Sequence, residues 1–209
     1  MRRLTTGGTP SDAILQIAVD WLRQGRVLVF PTDTFYGLAV DPTNANALRA
    51  LFALKGRPGA SALPFVAASL AQVESWCGPL VGRSARLAAQ YWPGPLSIVL
   101  DAPGSVDPAA LGAAESIAIR VPDHVVARGL AEAWGTPLPA TSANRTGAPP
   151  VRTPDALGAI ADDASVLVMD AGAAPGGGPS TIVDARGPAP RLVREGVIAW
   201  RRVLDFLEA

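Results

Sequence analysis

Short, wholly apolar runs alternate along this chain with longer stretches in which apolar residues recur every three or four positions. Val27-Leu-Val-Phe30 is a run of the first kind. It predicts a buried strand, and similar runs predict strands at 37–41, 64–68, 96–100, 116–121, 137–140, 165–170, 180–184 and 191–194. The second kind begins after Ser11, a good helix cap. Ile14, Leu15, Ala18, Val19, Trp21 and Leu22 form the stripe of a helix over 12–24 that Gly25 ends. Asn44 caps a helix carrying Leu48, Leu51, Phe52 and Leu54 and ending at Gly56. Ser69 and Gln72 read as a capping box for a helix to Trp76. A further helix is predicted over 83–91, one capped by Asp123 runs through Trp134, and one opens at Thr153-Pro154 with proline in its first turn. A last helix covers 199–207. Residues 102–115 read as a surface loop, and the glycine-rich run 172–179 as a flexible loop or a lid. Strands alternating with helices predict an α/β fold, and the closely spaced late strands require some antiparallel pairing, hence a mixed sheet.

Composition changes this picture little. The 209 residues fit a single domain over 1–209, with no internal repeat or dividing linker. Eighteen basic residues balance eighteen acidic ones, which excludes a generally basic nucleic-acid glove and leaves room for a local basic pocket. The one cysteine, Cys77, allows no intrachain disulfide and fits a reducing compartment. The N-terminus has no apolar run behind its two arginines, and no uncharged run reaches membrane-spanning length. A cytoplasmic protein with no membrane partner is expected.

The chemistry-bearing residues gather at the predicted strand ends. Pro31 cannot donate to a sheet ladder, so the strand before it should stop, leaving Thr32, Asp33 and Thr34 where ligands collect in open α/β sheets. Lys55, the only lysine, and Arg57 flank Gly56 and make a compact anion clamp, although basic residues and glycine also suit an ordinary helix C-terminus. Arg120, Ser142 to Asn144 and Ser180-Thr181 sit at further strand exits. His124 is the only histidine, which excludes a zinc site built on several imidazoles; a solvated or capping role outweighs a catalytic one. Cys77, beside Trp76, reads as a packing residue. Gly172 to Gly178 lacks the Gly-Lys-Ser/Thr ending of a phosphate loop. No carboxylate pair and no evident nucleophile remain, so the inventory suits binding and orienting a polyanion.

Seven motifs in order, spanning about residues 10–200, resemble those of the YrdC-like threonylcarbamoyl-AMP synthases. They are Pro31-Thr-Asp-Thr-Phe-Tyr-Gly-Leu, Leu54-Lys-Gly-Arg-Pro, Tyr91-Trp-Pro-Gly-Pro-Leu, Ile119-Arg-Val-Pro, Ser142-Ala-Asn-Arg-Thr-Gly, Ser180-Thr-Ile-Val-Asp and Leu192-Val-Arg-Glu-Gly. The resemblance implies a twisted α/β domain with a mixed parallel/antiparallel sheet and flanking helices around a positive cavity. It implies conversion of L-threonine, bicarbonate and ATP to threonylcarbamoyl-AMP and pyrophosphate, in a short form ending soon after Arg194. It places Thr34, Val66, Arg120, Ala140 and Ser180 on threonine. It places Arg57, Ser61, Ser116, Ser142, Asn144, Pro150 and Arg194 on ATP, with Lys55 and Arg57 as the catalytic cations. Mg2+ would enter with the ATP phosphates, near Ser142 and Asn144, and no organic cofactor is expected. A downstream tRNA threonylcarbamoyltransferase would be the partner, with tRNA itself not obligate. Many relatives carry Asn where Ser61 stands and His where Val66 stands. A carbamoyl-adenylate enzyme and a non-enzymatic RNA-binding module of the same fold are the competing readings.

Overall fold

Val27–Phe30 is buried along its whole length because its alternate side chains enter two different cores: Val27 and Val29 one, Leu28 and Phe30 the other. That is why the run shows no polar alternation. The computed structural model describes residues 1–56, 62–111 and 115–209. The first elements are β1 (Arg2–Thr5), α1 (Asp12–Arg23), β2 (Val27–Phe30), β3 (Gly37–Ala39), α2 (Ala45–Leu54) and β4 (Pro64–Val66). Then come α3 (Leu70–Cys77), α4 (Gly82–Tyr91), β5 (Leu96–Asp101), α5 (Pro108–Leu111), β6 (Ser116–Arg120) and α6 (Val125–Trp134). The chain continues with β7 (Leu138–Pro139), β8 (Thr141–Ser142), α7 (Ala159–Asp162), β9 (Val166–Asp170), β10 (Thr181–Asp184), β11 (Arg191–Arg194) and α8 (Trp200–Glu208).

The mixed α/β architecture is as the pattern predicts, but the strands divide into two sheets. One has the order β1-β9-β2-β3-β8 and the other β11-β10-β5-β6-β4-β7. Each combines parallel pairs, such as β2 with β9 and β10 with β5, with antiparallel pairs, such as β2 with β3 and β5 with β6. Local pattern does not say which strands pair, so the division is invisible in sequence.

The six-stranded sheet is buried on one face. Leu96, Ile98 and Leu100 of β5, Ile117 and Ile119 of β6, Phe65 of β4 and Val183 of β10 enter the core that also holds α2 and α4. The intervening positions of these strands face the other way and form the floor of a cavity. The second core lies where Trp21 and Leu22 of α1 and Val126 and Leu130 of α6 cover β2 and β9.

Four local expectations need correction. β1 was not predicted: Arg2-Arg3-Leu4-Thr5 has no apolar alternation and becomes a strand only by edge pairing with β9. Residues 102–115 are not simply a loop, for they contain α5, and Val106 and Ala110 are buried. Ala109 and Ala110 are too small to mark a helix by periodicity. The cap of α6 is His124, not Asp123, whose carboxylate instead accepts from Arg128 at 3.2 Å. Thr153-Pro154 opens a 3-10 turn, Pro154–Leu157, where an α-helix was expected. The Ser11, Asn44 and Ser69 caps hold as read.

The turn after β11 packs unusually close to the start of β10. The Thr181 hydroxyl donates to Ile198 O at 2.6 Å and accepts from Gly196 N at 3.0 Å and Ile198 N at 3.1 Å. A β-carbon at Gly196 would collide with Pro179 O, Ser180 C and Thr181 N. Gly196→Ala should therefore cost about 1–3 kcal/mol as an overpacked variant. Gly187→Ala, whose added carbon would lie 3.7 Å from Ala189 O, should be near neutral; urea unfolding midpoints check the pair.

Candidate functional site

A cavity of about 780 Å³ lies on the exposed face of the six-stranded sheet. Its floor is built by strand alternation: Ser180, Ile182 and Asp184 from β10 and the residue before it, Val99 from β5, Ser116, Ala118 and Arg120 from β6, and Pro64 and Val66 from β4. Its opposite wall comes from the segment after β2, Thr32 to Gly37, and from the segment after β7, Ala140 to Pro150. Thr34, Lys55, Val66, Ser116, Arg120, Ala140, Ser142, Asn144, Pro150, Ser180 and Arg194 all line it. Arg57 and Ser61 lie outside the described residues.

At one end the Arg120 guanidinium meets Asp33. Nη1 donates to Asp33 Oδ1 at 2.5 Å, and each side chain is only 9% exposed. Nη2 donates to the hydroxyls of Thr32 and Thr34, both at 3.2 Å. The two hydroxyls lie 3.1 Å apart, and Thr32 Oγ1 donates to Phe35 O at 2.8 Å. Burial pushes the Arg120 guanidinium below its ordinary value, and the Asp33 charge opposes the shift. Among the described residues Asp33 Oδ2 has no hydrogen-bond partner.

Lys55 does not extend freely into the cavity. It is 5% exposed, and its ammonium donates to Ser142 O at 2.7 Å and Asn144 O at 2.9 Å. Its own carbonyl accepts from Thr146 N at 2.9 Å, so the end of α2 and the 142–146 turn are tied together. In that turn Ser142 Oγ donates to Asn144 Oδ1 at 2.5 Å, and Asn144 Nδ2 donates to Ala148 O at 2.5 Å. Ser180 Oγ lies 3.0 Å from Ser97 Oγ and accepts from Arg194 Nη2 at 3.1 Å, and Arg194 also donates to Ser180 O. Among the described residues no carboxylate lies within 4.0 Å of Arg194. Burial first, and then the Arg120 charge, lower this guanidinium. Five cations, Lys55, Arg120, Arg186, Arg191 and Arg194, line one cavity, and among the described residues Arg194 has no carboxylate partner. That is the electrostatics of an anion site.

The glycine-rich run is strapped, not loose. Gly176 N donates to Thr34 O at 2.7 Å, Ala174 N to Arg152 O at 2.8 Å, and the Tyr36 hydroxyl to Gly172 O at 2.7 Å. Thr181, placed beside Ser180 by sequence, points into the core, where it is fully buried. His124 is half-buried and lies outside the cavity lining, with its imidazole pushed down by burial. The Cys77 thiol is pushed up to about 11 by burial and packs against the main core. Sequence reasoning missed the charged far end of the cavity, Asp184, Arg186 and Arg191. Alternation from Ser180 through Ile182 to Asp184 was the signal available for it.

The described cavity lining holds no Cys, His or Glu, and the described residues hold no group of three or more His, Cys, Asp or Glu suited to a metal ion. Ser142 Oγ and Asn144 Oδ1 are neutral hard oxygens at the cavity, a donor set that fits a Mg2+ ion carried in by phosphates but not one held by protein alone. No helix among the described residues is long and apolar enough to cross a membrane.

Residues 20–196 match the Sua5/YciO/YrdC family, described as "Telomere recombination". A threonylcarbamoyl-AMP synthase of Vibrio cholerae is 36% identical over 188 residues, which cover 87% of this chain and 97% of that protein. One of Bacillus subtilis is 31% identical over 194 residues, covering 92% of this chain but only 56% of the relative. The chain thus spans little more than half the length of its longer relatives. Sua5 of Pyrococcus abyssi, solved in complex with L-threonine, superposes with a TM-score of 0.88 at 29% identity, covering 99% of this chain and 61% of that one.

Two predictions follow from the geometry. Asp33→Asn leaves a buried guanidinium uncompensated and should cost about 3–5 kcal/mol, whereas adding Arg120→Met should recover much of the loss; denaturant midpoints of the single and double variants check this. Burial raises the Tyr36 phenol from 10.0 to about 12. Its contribution to stability is therefore whole below pH 10.0 and is lost as pH rises through about 12. Tyr36→Phe should be less stable than wild type near neutral pH, and the difference should narrow across that window in a pH series of urea midpoints.

Proposed function

Because the chain belongs to the Sua5/YciO/YrdC family, we propose that it makes threonylcarbamoyl-AMP and pyrophosphate from L-threonine, bicarbonate and ATP. The observation that carries this reading is the pairing inside one cavity of a fixed guanidinium among hydroxyls, Arg120 with Thr32 and Thr34, and a second guanidinium, Arg194, with no carboxylate partner among the described residues. The first end suits an amino acid and the second a phosphate chain.

At the first end Arg120 receives the threonine carboxylate, since its charge and plane are already set by Asp33. The hydroxyls of Thr34 and Ser180 bond the polar groups of the substrate, and the backbone at Ala140 closes the pocket. Val66, in register with Arg120 across β4 and β6, offers an apolar wall to the threonine methyl. The amine takes up the carbon of bicarbonate with loss of water. The resulting carbamate oxygen displaces pyrophosphate from the α-phosphate of ATP. Both reacting groups belong to substrates, in keeping with a described lining that offers no Cys or His nucleophile.

Positioning and charge neutralisation are then the protein's contribution. Arg194, Ser142 and Asn144 hold the phosphates, Lys55 fixes the turn that carries Ser142 and Asn144, and Ser116 and Pro150 lie toward the nucleoside. Arg57 and Ser61 are assigned to ATP by motif. Ser142 and Asn144 would help to hold a Mg2+ carried by ATP, which when bound would neutralise phosphate charge. The adenylate would pass to a separate transferase acting on tRNA in the cytoplasm.

Pyrophosphate release should require threonine and bicarbonate together and should proceed without RNA. Arg194→Ala should cut it by orders of magnitude while leaving circular dichroism near wild type. Release that ignores threonine would favour a different carbamoyl-adenylate chemistry, and a strict requirement for tRNA would favour an RNA-binding role.

A further inference from the structure

The far end of the cavity holds a guanidinium paired with two carboxylates. Arg186 Nε and Nη2 donate to Asp184 Oδ1 and Oδ2, each at 3.0 Å, and Nη1 donates to Asp101 Oδ1 at 2.7 Å. Arg191 Nη2 adds a bond to Asp184 Oδ2 at 3.2 Å. Three of the five N–H donors of Arg186 are therefore committed to carboxylates, and its charge is balanced. A guanidinium in this state is a poor phosphate ligand. Arg194, among the described residues, has no such partner.

Arg186 also lines the cavity, where it can offer its flat face. Guanidinium faces stack on aromatic rings, and one locked in plane by two carboxylates is already organised to do so. The wall beside it is uncharged: Val99, Ala118, Ile182 and Val193 line the same end. The Asp101 side chain is 88% exposed and Arg186 36%, so these pairs contribute little stability of their own. Along β6, Ser116 marks this end and Arg120 the other, about 13 Å apart at 3.3 Å per residue. That separation leaves room for a ribose and a phosphate between a base at one end and an amino acid at the other.

We propose that Arg186, held by Asp184 and Asp101, is a stacking platform for the purine base of the nucleotide. The assignment rests on the ATP reading above and adds to it the residue that takes the base. Asp184 is held down to about 2 by its Arg186 hydrogen bond, so the carboxylate side of the platform stays ionised throughout the neutral range. The contact reads a π face and not a hydrogen-bonding edge, so Arg186 by itself gives affinity for a purine ring and little choice between purines.

The test is calorimetric titration with ATP and, separately, with inorganic tripolyphosphate, both with Mg2+, on wild type, Arg186→Ala, Arg186→Lys and Arg186→Tyr. Lysine keeps the charge and a bond to Asp184 but lacks the plane; tyrosine keeps a plane without the charge. ATP affinity should fall by about tenfold or more in the alanine and lysine variants and be largely restored by tyrosine, as for loss and return of one base stack. Tripolyphosphate affinity should not change in any of them. Wild-type ATP affinity in Arg186→Lys would overturn the proposal, and so would equal loss of ATP and tripolyphosphate in Arg186→Ala, which would make Arg186 a phosphate ligand. If the alanine variant does not fold, the lysine and tyrosine variants decide between the same outcomes. A wild-type protein that binds neither probe would instead remove the nucleotide reading itself.

Discussion

The buried pair between Asp33 and Arg120 joins the two sheets. Asp33 leaves the end of β2 in the five-stranded sheet, and Arg120 ends β6 in the six-stranded one. Neither charge is tolerable alone at that depth, so the pair fixes the approach of the sheets at the point where the cavity begins. Thr32 and Thr34 depend on it as well, because Arg120 Nη2 orders both hydroxyls. The Arg120 end of the cavity is thus made by the interaction that brings the two halves of the fold together.

Everything else in the cavity hangs on strand periodicity. The six-stranded sheet turns alternate residues to the core and the intervening ones, several of them small or polar, to the cavity. The cavity floor takes residues two apart from β10, β6 and β4, and Val99 from β5. Backbone straps then hold the opposite wall: Lys55 on the 142–146 turn, Tyr36 on Gly172, and Thr34 O on Gly176. Each bond ends on a main-chain carbonyl, but two of the three are donated by side chains, so the wall depends on Lys55 and Tyr36 as well as on the course of the chain.

Much of this was legible beforehand. The helices with a cap and a stripe, α1 and α2, and the apolar strands β2, β5 and β9 announce themselves locally. The polar residues at strand ends do converge, as open-sheet geometry requires. What stayed hidden depends on partners distant in sequence. The Asp33 to Arg120 bond spans 87 residues, and nothing near either residue foretells the other. β1 exists because β9 offers an edge. Thr181 looked like Ser180 until alternation turned it into the core. Asp184 sat within a recognised motif, and the alternation along β10 that leads from Ser180 is what turns it into the cavity. The division into two sheets is a matter of pairing, which local pattern does not encode.

The single lysine has a practical side. Lys55 is the only side-chain amine in the chain, and its nitrogen rests on two carbonyl oxygens. Amine-directed dyes, biotin esters and coupling surfaces should therefore attach to the native protein at its terminal amine, giving a uniform orientation without engineering. Acylation at Lys55 would demand that the 142–146 turn let go of it. Mass spectrometric detection of that one adduct, against a background of terminal labelling, would count openings of the cavity wall.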